Sequence, residues 1–262
     1  MRVFTLHAHN PGPITGSGNW TYVVPGARPL LIDAGVGHPA HLAALDEVLP
    51  GGAATVVVTH AHSDHASGAQ VLSDRWPRAE FCKMPWPERD LATVPWRSVG
   101  EGAVFETEQG PLQALHTPGH APDHLVLWHE ATQTLFGADL LLAGTTVTIP
   151  ARHGGDLAAY LASLRRIRAL RPRVVLPAHG AVIHDAVALI DSYLHHRQQR
   201  EDQVVAALAA GLETIEAIAA RLYPNLDPAL VPLAREGVLA HLRNLAHEGR
   251  AETEGELWQL VG

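Results

Sequence analysis

Lysine is almost missing from this 262-residue chain: Lys83 stands alone beside 18 arginines, which we read as a coding bias and not as a mechanism. Cysteine is equally scarce. Cys82 is the single copy, so no internal disulfide can form and a thiolate zinc cage is excluded. No stretch approaches the ~18 uncharged apolar residues of a membrane span, and no membrane partner is expected. The start, Met1-Arg2-Val3-Phe4-Thr5-Leu6-His7, lacks the apolar run of a secretory signal, which makes a cytoplasmic location the expectation. Positive charge is in deficit overall, at a net −8, and this argues against a broad basic surface for nucleic acid.

Histidine is abundant, with 18 copies. Short β-branched runs alternate with Ala- and Leu-rich stretches of helical spacing, the pattern of an α/β fold. Strands are predicted at Pro29–Asp33, Ala54–Thr59, Glu80–Lys83, Leu112–His116, His124–His129, Thr134–Leu142 and Val174–Leu176. Helices are predicted at Pro39–Leu49, Ala66–Trp76 and Asp156–Leu170, the last with an aspartate placed as N-cap. From about Asp185 the character changes. A long helix to Ala210, helices at Ile215–Leu222 and Pro232–Glu248, and a hairpin-like Glu252–Val261 suggest a small, mainly helical winged-helix-like module. We place the boundary near residue 200, in the polar run His195–Asp202, giving a catalytic domain 1–200 and a module 201–262.

Four metal-ligand types crowd into six residues: His60, His62, Asp64 and His65. His60 and His62, two apart in extended chain, point to one side; Asp64 and His65 lie past the turn. One tetrahedral ion takes all four only with difficulty, whereas two neighbouring ions can share them. Further ligands belong in similar strand-to-loop turns, and His120, Asp139 and His179 qualify. Imidazole and carboxylate suit two Zn2+ ions, although iron and manganese accept the same ligand types.

The run His60-Ala61-His62-Ser63-Asp64-His65, followed in order by His120, Asp139 and His179, resembles the metallo-β-lactamase superfamily. The resemblance implies an αββα sandwich with metals at one edge of two sheets. It implies His60, His62 and His120 on one ion, Asp64, His65 and His179 on the other, and Asp139 bridging. It also implies a metal-bridging hydroxide as nucleophile, with Asp64 as the catalytic residue that orients it or shuttles its proton. Asn10-Pro11-Gly12-Pro13, Gly144-Thr145-Thr146 and the C-terminal module narrow the match to the β-lactamase-like protein 2 group. The animal representative of that group is associated with single-stranded RNA cleavage, and related fungal enzymes are acyl-carrier thioesterases. Ala138 and Ala178 stand where that pattern commonly has glycine.

Around this set, Asp33 and His124 are expected to orient the ligands by hydrogen bonds, and Asp123 could do the same. Gly12–Tyr22 reads as a mobile flap, with Trp20 over the substrate; Thr146 is the second substrate contact expected, and Arg152 a surface charge. His129 and His153 read as surface or packing residues. The module carries ten acidic residues against four arginines, a net −6 that would repel phosphates. It is therefore expected to pack on the catalytic domain, shape the cleft or join two subunits of a homodimer. The function expected is hydrolysis of a small or carrier-bound acyl substrate (thioester, ester, lactone or lactam), with a single-stranded RNA endoribonuclease as the alternative.

Overall fold

The structure, a computed structural model, describes residues 1–13 and 15–261. Six strands form the first sheet in sequence order: β1 (Phe4–His7), β2 (Trp20–Val24), β3 (Leu30–Ile32), β4 (Thr55–Val58), β5 (Glu80–Lys83) and β6 (Trp96–Ser98). The first three pair antiparallel and the rest parallel. Crossovers between the parallel strands carry α1 (Pro39–Val48), the short α2 (Ser63–Ala66) and α3 (Ala69–Arg75). The second sheet holds β7 (Val104–Phe105), β8 (Leu112–His116), β9 (Leu125–His129), β10 (Thr134–Ala138) and β11 (Val174–Pro177), ordered β11-β10-β9-β8-β7. The helix α4 (Leu157–Leu170) connects β10 to its parallel neighbour β11.

The strands read as continuous apolar runs because both of their faces are buried. In β4, Val57 meets Tyr22, Ile32 and Leu125 between the sheets, while Val56 and Val58 pack under α1 and α3 with Leu45 and Leu72. Period-two alternation repeats in β9, where Leu125 and Leu127 face the first sheet and Val126 and Trp128 face the outer helices. The result is four layers, helix-sheet-sheet-helix.

Beyond β11 come α5 (Ala186–Ala209), α6 (Ile215–Leu222), α7 (Val231–His247) and the hairpin β12 (Ala251–Glu254) with β13 (Leu257–Leu260), a winged-helix arrangement. Its apolar side is not separate from the sandwich. Val238, Leu242, Leu245 and Trp258 belong to one core with Tyr160, Leu164 and Ile190. Residue 200 lies inside the unbroken α5, and Arg197 and Glu201 are buried, so His195–Asp202 is not the exposed run the sequence suggested. No helix among the described residues is long and apolar enough to cross a membrane.

Three local readings are corrected. The helix expected over Ala66–Trp76 starts later, at Ala69, and Ala66 instead ends the separate turn α2. Between them the Gly68 amide donates to the Gly35 carbonyl oxygen at 2.8 Å, an approach so close that a Cβ on Gly68 would lie 2.2 Å from the Ala34 carbonyl oxygen. The strand Thr134–Leu142 stops at Ala138, whose φ of +43° turns the chain off the sheet. That left-handed alanine explains why glycine suits the position. Finally, the stretch Gly12–Tyr22 is not a flap throughout: Asn19, Thr21 and Tyr22 are buried and β2 begins at Trp20.

Candidate metal centre

The strand ends of both sheets converge at one edge of the sandwich. The chain leaves β4 at Val58 and turns into α2 within four residues, which delivers His60, His62, Asp64 and His65 together. His60 and His62 meet through that turn and not along a strand, with His60 Nε2 3.0 Å from His62 Nδ1. From the second sheet, His120 follows β8, Asp139 follows β10 and His179 follows β11. His62 Nδ1 lies 2.8 Å from His120 Nε2; Asp139 Oδ2 lies 3.3 Å from His120 Nε2 and 3.9 Å from His60 Nε2. Asp64 Oδ2 lies 3.2 Å from His179 Nε2 and 3.5 Å from His65 Nε2, and Asp139 Oδ1 is 3.4 and 3.5 Å from the same two nitrogens. The donor atoms form two groups, His60/His62/His120/Asp139 and Asp64/His65/His179, each spanning no more than 4.8 Å.

Surrounding hydrogen bonds aim these donors inward. His120 Nδ1 donates to the Thr148 carbonyl oxygen at 2.8 Å, which leaves the Nε2 lone pair facing the centre. His65 Nδ1 is held at 2.8 Å by Asp33 Oδ2, leaving Nε2 inward in the same way. Asp33, itself at φ +63°, also accepts from the Thr59 amide (2.8 Å) and hydroxyl (3.2 Å). His124 is fully buried; it accepts from the Asp139 amide at 3.1 Å and bonds Thr117 Oγ1 at 2.8 Å. Asp33→Ala would strand the Thr59 amide and free the His65 ring. A stability loss of about 1–3 kcal/mol and a ~10–100-fold loss of metal affinity are expected, read by thermal melting and chelator competition.

The electrostatics call for a cation. Burial, reinforced by neighbouring imidazoles, holds His60 and His124 well below the usual histidine value and His62 down to about 3. Burial alone would depress His65 too, but Asp64, Asp33 and Asp139 outweigh it and hold that ring well above its usual value. Asp139 is opposed by burial, yet His65 and His120 keep it ionised, well below the ordinary carboxylate range. Neutral His60 and His62 stand beside ionised carboxylates that hold a proton on His65, where a cation would take that proton's place. With His65 Nε2 and Asp139 Oδ1 buried and lacking any hydrogen-bond partner, this is a donor set for divalent metal ions.

Thr146 lines the cavity above the centre. Trp20 is not among the residues lining that cavity. Its Nε1 donates to the Gly180 carbonyl oxygen at 2.9 Å, bracing the turn that carries His179. Arg152 and His153 are both exposed, as expected for surface residues; Arg152 is in addition paired with Glu236 on α7, and His153 lines the cavity. Two contributors escaped the sequence reading. Asn19 Nδ2 donates to the Asp64 carbonyl oxygen at 2.8 Å, and Lys83 is buried against Asp123. A lone lysine in an arginine-rich chain was the one available signal for the latter.

Comparison with known proteins agrees with this geometry. The metallo-beta-lactamase superfamily profile matches residues 13–179, and the beta-lactamase associated winged helix domain matches 214–258. A beta-lactamase-like protein 2 homolog of Caenorhabditis elegans is 31% identical over 95% of this chain and 86% of its own. An atrochrysone carboxyl ACP thioesterase of Aspergillus novofumigatus is 30% identical over 95% of this chain and 80% of its own. A metallo-beta-lactamase family protein of Thermus thermophilus superposes with a TM-score of 0.83 at 22% identity, covering 99% of this chain and 98% of that one. The chain therefore belongs to the metallo-beta-lactamase superfamily, as a hydrolase of that fold with a winged-helix domain at its C-terminal end.

Proposed function

We propose that the protein is a binuclear zinc hydrolase of acyl substrates, with thioesters foremost. The observation that carries this is the cavity above the donor atoms. It encloses about 1140 Å³ between the metal edge and the winged-helix domain. Its floor is His62, Asp64, His120, Asp139 and His179; its walls include Leu91, Leu142 and Val147, and Leu230, Pro232 and Leu233 from the domain. Such a slot suits an apolar acyl group. It does not suit a polyanion, since two of its three arginines already face glutamates, Arg152 with Glu236 and Arg235 with Glu216.

Ions bound by the donor set would supply Lewis acidity and lower the pKa of water toward neutrality. Within the cavity the chain's own residues divide the remaining work. Asp64, the more open of the two central carboxylates, takes the proton of the attacking water. His120 and His65 stay fixed by Thr148 and Asp33, so little reorganisation accompanies the reaction. Thr146 offers a hydroxyl to the bound substrate from the wall. Residues 1–200 carry the chemistry in this reading, and 201–262 complete the slot.

N-acetylcysteamine and carrier-protein thioesters, offered to zinc-loaded protein, test the reading. Thiol release that stops on chelation is the expected result; Cys82 is fully buried and adds no background. Metal-loaded protein that releases no thiol yet cuts single-stranded RNA would replace this reading with the nuclease one. The relatives named as thioesterases support the first outcome.

A further inference from the structure

The loop after Asp139 is gripped from behind by the winged-helix side of the molecule. Tyr193 of α5 donates to the Thr145 carbonyl oxygen at 2.5 Å and accepts from the Leu142 amide at 3.1 Å. One turn later on α5, Arg197 Nη2 donates to the Val147 carbonyl oxygen. From α7, Arg243 Nη1 donates to the Ala151 carbonyl oxygen, and Glu236 accepts from the amide (2.8 Å) and Nη1 (2.6 Å) of Arg152. Between these fixed points lies Thr148, whose carbonyl oxygen receives the Nδ1 proton of His120 at 2.8 Å.

Arg197 is the telling member. It is 7% exposed, and among the described residues no carboxylate lies within 4.0 Å of it. Its company is the Val147 carbonyl and the Tyr160 ring, 5.6 Å away, and its Nε has no partner. A buried guanidinium without a counter-charge is expensive, and an apolar side chain would fill the same space at less cost. Packing alone therefore gives no reason for an arginine there.

We infer that Arg197 is a positioning residue for the metal centre: it pins Val147, and through the adjoining Thr148 carbonyl sets the ring orientation of His120. Glu236 and Arg152 hold the far end of the same segment. The helix α5, which runs on into the winged-helix domain, is thus joined to the metal edge through the Thr148 carbonyl, while the domain itself walls the cavity. This inference rests on the reading that the centre binds two ions.

The test is a chelator-competition titration of the full chain with Zn2+ and, in parallel, Co2+, whose visible spectrum reports on the imidazole ligands. Arg197→Met is expected to bind one of the two ions about 10–100-fold more weakly and to change the cobalt spectrum. Arg197→Lys restores most of the affinity. Arg152→Ala, at an exposed side chain that leaves the core intact, weakens the same ion several-fold. Val238→Ala is the control, a cavity variant in the same core that lowers the melting temperature and removes none of the hydrogen bonds that hold the loop. It keeps wild-type affinity. Wild-type affinity for both ions in Arg197→Met and Arg152→Ala overturns the inference, as does an equal loss in Val238→Ala. Wild-type protein that takes up no ion would instead overturn the metal reading itself, and this inference with it.

Discussion

Asp64→Ala is expected to lower kcat for thioester hydrolysis by about 10²–10⁴-fold, the range carried by a positioned proton acceptor. The substitution should do so without unfolding the protein. The side chain borders the cavity, and its contacts are His179 and His65, while the carbonyl that receives Asn19 Nδ2 belongs to the backbone and survives. Burial opposes ionisation of Asp64, but His65 and the hydrogen bond from His179 hold it below the ordinary carboxylate range. It is thus ionised, and able to accept a proton, across neutral pH. Melting within about 1 kcal/mol of wild type, alongside collapsed turnover, is the combination expected. Retention of more than a tenth of wild-type kcat would remove Asp64 from the mechanism. The same variant decides between substrates. RNA cutting that vanishes in Asp64→Ala would belong to this centre, whereas cutting that persists would come from elsewhere.

The donors were legible because metal ligation demands particular atoms, and those atoms are written in the sequence. Four of them stand within His60–His65, and His120, Asp139 and His179 each follow a strand whose apolar run is plain. Two helices were legible for a related reason: α4 and α6 follow helical periodicity, and α4 opens on Asp156, a side chain that caps its first turn. What stayed hidden depends on distance in sequence. Nothing near Arg197 announces that it lies against Val147, fifty residues earlier. Trp20 looked like a lid because it follows three glycines, yet β2 starts at that residue and turns its indole onto Gly180. The polar run His195–Asp202 looked like a linker because polarity is a local property. Burial of Arg197 and Glu201 is decided by α7, through Asn244 for Glu201, and by the loop beyond Asp139.

Lys83→Met carries the largest stability effect we expect. The only lysine of the chain ends β5, 2% exposed, with Nζ 2.7 Å from Asp123 Oδ2, 2.6 Å from Asp90 Oδ1 and 2.6 Å from the Met84 carbonyl oxygen. Asp123 is 1% exposed in the His120–His124 turn, so the pair ties the first sheet to a loop of the second. Removing the lysine leaves a buried carboxylate with no counter-charge, at a cost of about 3–5 kcal/mol, or a melting temperature roughly 10 °C lower. Burial already pushes the Asp123 carboxyl above its ordinary value, against the pull of Lys83, and without Lys83 it rises further. The sign follows from that direction. A carboxyl raised in the folded state favours folding while protonated and disfavours it once pH rises through the raised value. The deficit of Lys83→Met should therefore be widest at neutral pH and shrink toward mildly acid pH. Lys83→Met combined with Asp123→Leu should recover most of the loss, because a buried ion pair is replaced by apolar contacts at little net cost. Melting of the single variant at the wild-type temperature, or of the double variant as low as the single, would show that the pair does not carry this junction between the sheets.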